Sequence, residues 1–263
     1  MDVRDLVTEH YSLGDLTRGI LSALSGAGLD TDELGPADLF GVDQLHAGGH
    51  EATRHALDRL DIGPGTRLLD VGCGIGGTSR MAAMAGAEVT GIDLTADFVE
   101  TATRLTDLVG LADRARFVTT PGESLPLEER SYDASVMVHV GMNIPDKQAV
   151  FAEVHRVLLP GGRFVVYDQM RTGDGALPYP LPWAEDMRSS FVESPEDYTR
   201  QLEAVGFAVE AVEDRTAATL GPPGPGPLNH AVVFGPAFVQ RIGNNIEATR
   251  AGLLGAVLVV ARA

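Results

Sequence analysis

The sequence predicts an α/β protein built on a doubly wound parallel sheet, and three observations support this fold class. From about residue 65 onward, short runs rich in β-branched residues alternate with helix-length segments. A glycine-rich turn separates the first of these runs from the first segment. No internal repeat of roughly 20–50 residues is visible, which excludes solenoids and propellers. Strands that alternate with helices form βαβ units, whose helices cover both faces of a parallel sheet.

The individual elements are predicted in chain order from these runs. The strands fall at 67–71, 88–92, 115–118, 133–138, 163–167, 207–212 and 256–260. The helices fall at 76–85, 96–109, 147–158 and 195–205. Ser194 and Pro195 are typical of a helix start, and Gly206 suits the left-handed residue that follows a helix. These signals delimit the last of the four helices.

Two kinds of segment lie outside this alternation. Residues 1–60 look helical and amphipathic, and we expect them to form a helical cap over the active site of a core domain, 61–263. Segments at about 169–193 and 214–250 contain clustered prolines. Long ordered loops usually serve a site, so we predict that these two segments are lids over a substrate pocket.

Composition narrows the choice of partners. The 263-residue chain has 20 basic and 37 acidic residues, which gives a formal net charge of −17. This charge opposes a phosphate backbone, so we expect a small-molecule substrate and neither nucleic acid nor a membrane as partner. Cys73 is the one cysteine, and the N-terminus lacks a signal-peptide pattern, which together indicate a cytoplasmic protein. The seven histidines show no zinc-ligand spacing, so no metal site is expected.

The strongest local signal is the glycine-rich run at 68–78, between a predicted strand and a predicted helix. Gly72 and Gly74 allow a tight turn and a close approach of a ligand to the backbone. Asp93 follows the second predicted strand, where a carboxylate can accept hydrogen bonds from two ribose hydroxyls. The pattern alone fits an NAD site as well as a site for another nucleoside cofactor.

Four segments, in order, resemble the motifs of class I S-adenosylmethionine-dependent methyltransferases. They lie at 70–77, 91–94, 122–126 and 158–166. The third segment carries Glu123 where the family commonly has aspartate. Four motifs with family spacing, covering roughly residues 65–168, favour this family over the NAD alternative.

Further segments resemble a small-molecule branch that is similar to sarcosine and dimethylglycine N-methyltransferases and to natural-product methyltransferases. They lie at 43–53, 182–184, 194–198 and 226–230. The resemblance implies a Rossmann-like, seven-stranded sheet whose last strand, near 255–262, runs antiparallel. It also implies S-adenosylmethionine as cofactor and S-adenosylhomocysteine as product. The residues implied to bind the cofactor are Tyr11, Gly72, Cys73, Gly74, Asp93, Leu94, Gly122, Glu123, Ser124 and Val138.

One departure from the family pattern lies at the end of the fourth predicted strand. His139 stands where the family commonly has an acid, and Asn143 stands where it commonly has a histidine. A histidine at the carboxyl end of a parallel strand faces the ligand crevice, and its ordinary pKa of about 6.5 suits proton removal from an acceptor. His139 is therefore the candidate catalytic base. The alternative is a packing contact with the cofactor.

Five further residues are candidates for substrate contact. They are Gln44, His46, Asp168, Trp183 and His230. By topology, Asp168 ends the fifth predicted strand together with Gln169 and faces the crevice. Each candidate has a structural alternative, namely a surface amide, a solvated loop histidine, a turn cap, or packing under the lid.

The function expected from these observations is methyl transfer to nitrogen, oxygen or carbon of a small-molecule acceptor, in specialised metabolism. The alternative is a cyclase or isomerase of methyltransferase fold that keeps the cofactor for structure, because a fold does not fix a function. An NAD oxidoreductase is the third hypothesis. Release of S-adenosylhomocysteine distinguishes the first two.

Overall fold

The computed structural model describes residues 16–220 and 231–263 and contains one seven-stranded sheet. The strands are β1 Arg67–Val71, β2 Glu88–Asp93, β3 Ala115–Thr119, β4 Tyr132–Val138, β5 Leu158–Arg171, β6 Ala208–Asp214 and β7 Leu254–Arg262. Their order is β3-β2-β1-β4-β5-β7-β6. The first five strands run parallel, and β7 lies antiparallel between β5 and β6. The predicted Rossmann-like sheet with an antiparallel last strand is confirmed.

The helices of the described residues pack on both faces of this sheet. They are α1 Leu16–Gly26, α2 Phe40–Asp43, α3 Gly49–Asp58, α4 Gly77–Met84, α5 Ala96–Leu108, α6 Lys147–Val157, α7 Pro195–Ala204, α8 Thr216–Thr219, α9 Ala231–Phe234 and α10 Phe238–Arg250. Within the described ranges, none of them is long and apolar enough to cross a membrane.

The capping signals that delimit α7 act as predicted. The Ser194 hydroxyl accepts a hydrogen bond from the Asp197 N–H at 3.1 Å, and the Asp197 carboxylate accepts one from the Ser194 N–H at 3.2 Å. This reciprocal pair is a capping box, which satisfies amide groups that have no partner within the helix. Gly206, just past the helix, has φ +107°, a conformation that favours glycine.

Two apolar cores lie on opposite faces of the sheet, and β5 contributes alternate side chains to them. Phe164 and Val166 pack toward α6 and α7, whereas Val165 and Tyr167 pack toward α3 and α4. Successive side chains of a strand point to opposite faces. The same alternation therefore continues along β5 beyond Tyr167.

The predicted bounds of the two lids differ from the loop bounds in the structure. β5 continues to Arg171, because β7 pairs with it as far as Leu254. Residues 169–171 are therefore strand and not lid. In the second predicted lid, 238–250 form the helix α10, which buries Phe238 and Ala248.

The described residues before β1 include the helices α1, α2 and α3, as predicted, and α1 packs against α5. Ile20 and Leu24 of α1 are fully buried in a cluster with Phe98 and Leu105 of α5. Ile75, from the glycine-rich turn, belongs to the same cluster. The helices before β1 are thus joined to the turn after β1 through one apolar core.

Candidate functional site

The glycine-rich turn after β1 is held against the end of β2. The N–H groups of Gly72 and Cys73 both donate to the Ile92 carbonyl, at 2.8 and 2.9 Å. Gly72, Gly74 and Gly76 have φ values of +70°, +52° and +86°. Three left-handed residues within five positions explain the glycine density, since side chains disfavour that conformation.

Gly72 and Gly74 have different neighbours. A Cβ added to Gly72 would collide with the side chain of Val140, whereas one added to Gly74 would meet nothing within 4 Å. Gly74 therefore faces open space, and Gly72 makes room for the turn after β4. Cys73 is buried, and burial raises the pKa of its thiol well above the ordinary value, which disfavours the reactive thiolate.

The Asp93 carboxylate lies beside this turn at the end of β2. Its Oδ2 accepts the Gly74 N–H at 2.9 Å, and its Oδ1 accepts the Thr95 N–H at 2.8 Å. Burial raises the pKa of Asp93, and the two backbone donors oppose that shift. Each oxygen keeps a further lone pair, so the group can still accept hydroxyl donors. Leu94 follows it, half-buried.

The third predicted cofactor segment forms a turn after β3. Gly122 lies against Val150 of α6, and an added Cβ would stand 3.7 Å from Val71 at the end of β1. Glu123 is partly buried, and Ser124 is exposed. The turn is thus placed at the same carboxyl edge of the sheet as the glycine-rich turn.

His139 directly follows β4, whose last residue, Val138, is buried. It has φ +54°, a left-handed conformation that is uncommon for residues other than glycine. Its N–H donates to the Tyr167 carbonyl at 2.7 Å. The ring centroids of Tyr167 and His46 lie 5.1 and 5.5 Å from that of His139. The structure thus brings two predicted residues, His46 and His139, together around Tyr167.

The polar side chains of the segment between α2 and α3 are bonded within the protein. Gln44 and His46 are both buried, at 2% and 9% exposure. The Thr53 hydroxyl donates to Gln44 Oε1 at 2.6 Å and lies 2.8 Å from His46 Nε2. Gln44 is therefore not the surface amide that was its alternative.

Asp168 faces away from His139, which corrects its prediction as a substrate contact. It is fully buried, and its carboxylate accepts the Tyr198 hydroxyl at 2.8 Å and the Gln169 N–H at 2.9 Å. The Gly141 N–H also donates to it. Burial raises the pKa of Asp168 to about 6. Strand alternation places it on the α6 and α7 face, opposite to Tyr167.

Trp183 belongs to the segment that follows β5 and packs into an apolar cluster, as in its structural alternative. It is 2% exposed in a cluster with Met142, Leu181 and Leu254, and its indole N–H donates to the Ser190 hydroxyl at 3.0 Å. Tyr11 and His230 lie outside the described residues. Across 16–220 and 231–263, no three His, Cys, Asp or Glu side chains form a group that could hold a metal.

Several residues of the site were not among the candidate site residues named from the sequence. Tyr167 lies in an apolar strand, and only strand alternation distinguishes its face from that of Asp168. Arg80 and Thr53 are fully buried polar residues of α4 and α3. Gln169 is 1% exposed, and among the described residues its Oε1 has no hydrogen-bond partner. Alternation places it on the same face as Tyr167, beyond the last pair that joins β4 to β5.

Comparisons with known proteins agree with this fold. Residues 69–166 match the methyltransferase domain family. Methyltransferase GfsG from Streptomyces halstedii is 33% identical over 132 residues, which cover 50% of this chain and 48% of that protein. Sterol 24-C-methyltransferase from Yarrowia lipolytica is 30% identical over 205 residues, which cover 72% and 53%. The chain spans about a third to a half of the length of the first curated relatives that it matches.

Solved structures extend the likeness over most of the chain. A geranyl diphosphate methyltransferase in complex with S-adenosylmethionine matches with a TM-score of 0.65 and 27% identity, covering 81% of this chain and 84% of that one. The [4+2]-cyclase SpnF matches with a TM-score of 0.70 and 21% identity, covering 100% and 97%, and shows the shared fold alone.

Fold, site and comparisons together define the class of protein. The chain carries a class I S-adenosylmethionine-dependent methyltransferase domain, and residues 69–166 are its matched part. This confirms the resemblance drawn from the four sequence motifs, and it favours the methyltransferase family over the NAD alternative.

Proposed function

We propose that this protein transfers the methyl group of S-adenosylmethionine to a small-molecule acceptor, with His139 as the catalytic base. The observation that carries the proposal is one shared edge of the sheet. The open turn at Gly74 and the Asp93 carboxylate lie at the ends of β1 and β2, and His139 lies at the end of the neighbouring β4. Ligands of open parallel sheets bind at this edge.

The residues at this edge fit a nucleoside cofactor. The Asp93 oxygens would accept the ribose hydroxyls, and the unobstructed backbone at Gly74 would lie along the ligand. Leu94 would pack beside the adenine, with Gly122, Glu123 and Ser124 at its polar rim. Gly72, Cys73 and Val138 support the turn from behind. When bound, the cofactor supplies an electrophilic methyl group on a sulfonium.

The chain's own residues then align the acceptor and exclude water. Methyl transfer is a direct displacement that gives a neutral leaving group, so alignment and water exclusion lower its barrier most. The helices within 16–58 would act as the cap, and the segment 172–193 would act as a lid. His139, partly exposed between His46 and Tyr167, accepts the acceptor's proton where the acceptor must lose one.

The relatives support a small acceptor of variable chemistry. Their names include a sterol C-methyltransferase and a phosphoethanolamine N-methyltransferase from Arabidopsis thaliana, and the solved neighbour acts on geranyl diphosphate. The net charge of −17 opposes a nucleic-acid substrate. One cysteine allows no internal disulfide, which fits a reducing compartment such as the cytoplasm.

Calorimetric titration with S-adenosylmethionine, S-adenosylhomocysteine and NAD tests the cofactor site. We expect micromolar binding of both sulfur ligands, roughly −8 kcal/mol, and loss of that binding in Asp93→Ala. Asp107→Ala, an exposed acid on α5, is the matched control and should bind as the unchanged protein does. Binding of NAD, or unchanged affinity in Asp93→Ala, would refute the assignment.

An acceptor screen that measures release of S-adenosylhomocysteine tests the reaction. Acceptor-dependent release supports methyl transfer, and conversion of an acceptor without release supports a cyclase or isomerase instead. For the reactive acceptor, His139→Ala should lower turnover about 100-fold or more while cofactor affinity stays unchanged. Unchanged turnover would remove His139 from the mechanism.

A further inference from the structure

Four hydrogen-bonded links join the helix after the glycine-rich turn to the ring of His46. Arg80 Nη2 donates to Asp43 Oδ2 at 2.8 Å, and both side chains are almost fully buried. Gln44 Nε2 donates to Asp43 Oδ1 at 2.9 Å. The Thr53 hydroxyl then connects Gln44 Oε1 to His46 Nε2.

The start of this chain is fixed by close packing. A Cβ on Gly77, the first residue of α4, would collide with the Asp43 carbonyl and with the Gln44 side chain. Arg80 Nη1 also donates to the Thr106 hydroxyl of α5 at 3.1 Å. The segment at 43–44 is therefore held against α4 and α5, so the Gln44 amide has a defined place.

The direction of every hydrogen in the chain follows from its first acceptor. A carboxylate oxygen accepts, so Gln44 turns its NH₂ group toward Asp43 and its carbonyl toward Thr53. The single Thr53 hydrogen goes to that carbonyl. The Thr53 oxygen can then only accept from His46, which requires the hydrogen on Nε2.

The ring of His46 is consequently fixed through Nε2 and lies beside the ring of His139. Nε2 is directed to Thr53, and Nδ1 lies 3.2 Å from the Ala47 carbonyl. The Tyr167 hydroxyl donates to that same carbonyl, also at 3.2 Å. The ring centroids of His46 and His139 lie 5.5 Å apart, with an interplanar angle of 37°.

We infer that His46 is a positioning residue for His139, fixed as the Nε2–H tautomer by the hydrogen-bond chain that starts at Arg80 and Asp43. In this role His46 positions the neighbouring ring of His139, and it does not make the substrate contact that the sequence predicted. The inference rests on the proposed function in one respect, because it assigns His46 to the service of the catalytic base. The tautomer itself is independent of any reaction.

Nitrogen NMR of the ¹⁵N-histidine-labelled full chain tests the tautomer directly. At about pH 8.5, above the ordinary titration range of histidine, His46 Nε2 should show the shift of a protonated nitrogen and Nδ1 that of an unprotonated one. In Thr53→Val the acceptor of Nε2 is lost, and the Ala47 carbonyl remains as acceptor for Nδ1–H. We expect the tautomer to invert in that variant.

Matched variants separate the hydroxyl from general effects of substitution. Thr53→Ser keeps the hydroxyl and should restore the Nε2–H tautomer. Thr103→Val makes the same change on the exposed face of α5 and should leave His46 unchanged. A His46 that carries its hydrogen on Nδ1 in the unchanged protein, or that keeps it on Nε2 in Thr53→Val, would overturn the inference.

A separate measurement tests whether His46 positions the ring of His139. In Thr53→Val the ring signals of His139 should shift together with those of His46, and Thr53→Ser should restore both. With a reactive acceptor, Thr53→Val should lower kcat about 10-fold at unchanged KM. An inverted His46 tautomer with unchanged His139 signals would contradict the positioning role. Failure of S-adenosylmethionine binding would refute the proposed function and leave the tautomer result standing.

Discussion

Gly72 is a residue at which a single missing carbon lets two turns approach each other. Its φ of +70° disfavours any side chain, and an added Cβ would collide with Val140. We expect Gly72→Ala to lower the free energy of unfolding by about 2–4 kcal/mol, because conformational strain and overpacking add. Urea denaturation measures this change.

Gly74 supplies the matched control for that prediction. It shares the left-handed conformation, but an added Cβ meets nothing within 4 Å. Gly74→Ala should therefore cost only about 1 kcal/mol from conformational strain. Adding Val140→Ala to Gly72→Ala should restore part of the lost stability. Equal losses in Gly72→Ala and Gly74→Ala would contradict the packing explanation.

The buried carboxyl group of Asp70 makes the stability of the fold depend on pH. It is 1% exposed, and burial raises its pKa to about 7, although the Ser79 hydroxyl donates to it at 2.6 Å. Between its unfolded pKa of about 3.9 and pH 7, the folded state binds more protons than the unfolded state, so its contribution to stability falls as pH rises. Asp70→Asn removes this term.

Thermal unfolding across the same pH window measures that prediction. Asp70→Asn should match the unchanged protein near pH 4 and exceed it by about 2 kcal/mol near pH 8. A smaller slope of the same sign should remain in Asp70→Asn, because the buried Asp168 also has a raised pKa, about 6. Parallel stability curves for the two proteins would refute the role of Asp70.

At the scale of elements, the sequence predicted the sheet well because strand and helix periods differ so strongly. β1 was predicted with the bounds that the structure has, Arg67–Val71, and α7 ends one residue earlier than predicted. β5 was predicted too short, since its end is set by pairing with β7, a contact between distant parts of the chain. Local pattern carries no information about such a partner.

The candidate site likewise combines residues that local motifs predict with residues that only contacts between distant parts of the chain bring together. Asp93 and the glycine-rich turn follow from local motifs, and the structure places them together. Topology alone gave Asp168 the same crevice as Gln169, but strand alternation places the two on opposite faces. The buried chain from Arg80 to His46 joins residues 37 positions apart at its first link, which no local pattern reports.

Lys147 joins α6 to the segment that follows β5 through hydrogen bonds. At the start of α6, its Nζ donates to the carbonyls of Ile144 at 3.0 Å and Phe191 at 2.6 Å. Burial lowers the pKa of Lys147, while Glu193, 3.4 Å away, opposes that shift. Lys147→Met leaves two carbonyls without this donor, and we expect a loss of about 2–4 kcal/mol in urea denaturation.

Glu193→Gln is the control for this variant. The Glu193 side chain is one third exposed, so its ion pair with Lys147 should contribute less than about 1 kcal/mol. The expected order is a large loss in Lys147→Met and a small one in Glu193→Gln. A larger loss in Glu193→Gln would mean that charge, and not the two carbonyl bonds, is the reason for burying this lysine.

Over the whole molecule, the net charge of −17 should distinguish the two sulfur ligands. S-adenosylmethionine carries a sulfonium charge that S-adenosylhomocysteine lacks, and a strongly acidic protein attracts the cation more. Salt shortens the screening length from about 10 Å at 0.1 M to about 3 Å at 1 M. Calorimetry over this range should show the Kd of S-adenosylmethionine rising about 3-fold or more, while that of S-adenosylhomocysteine changes little.

Sinefungin, whose amine is cationic, is the control and should follow S-adenosylmethionine. Equal salt dependence of all three ligands would show that the acidic surface lies too far from the site to act on the cofactor.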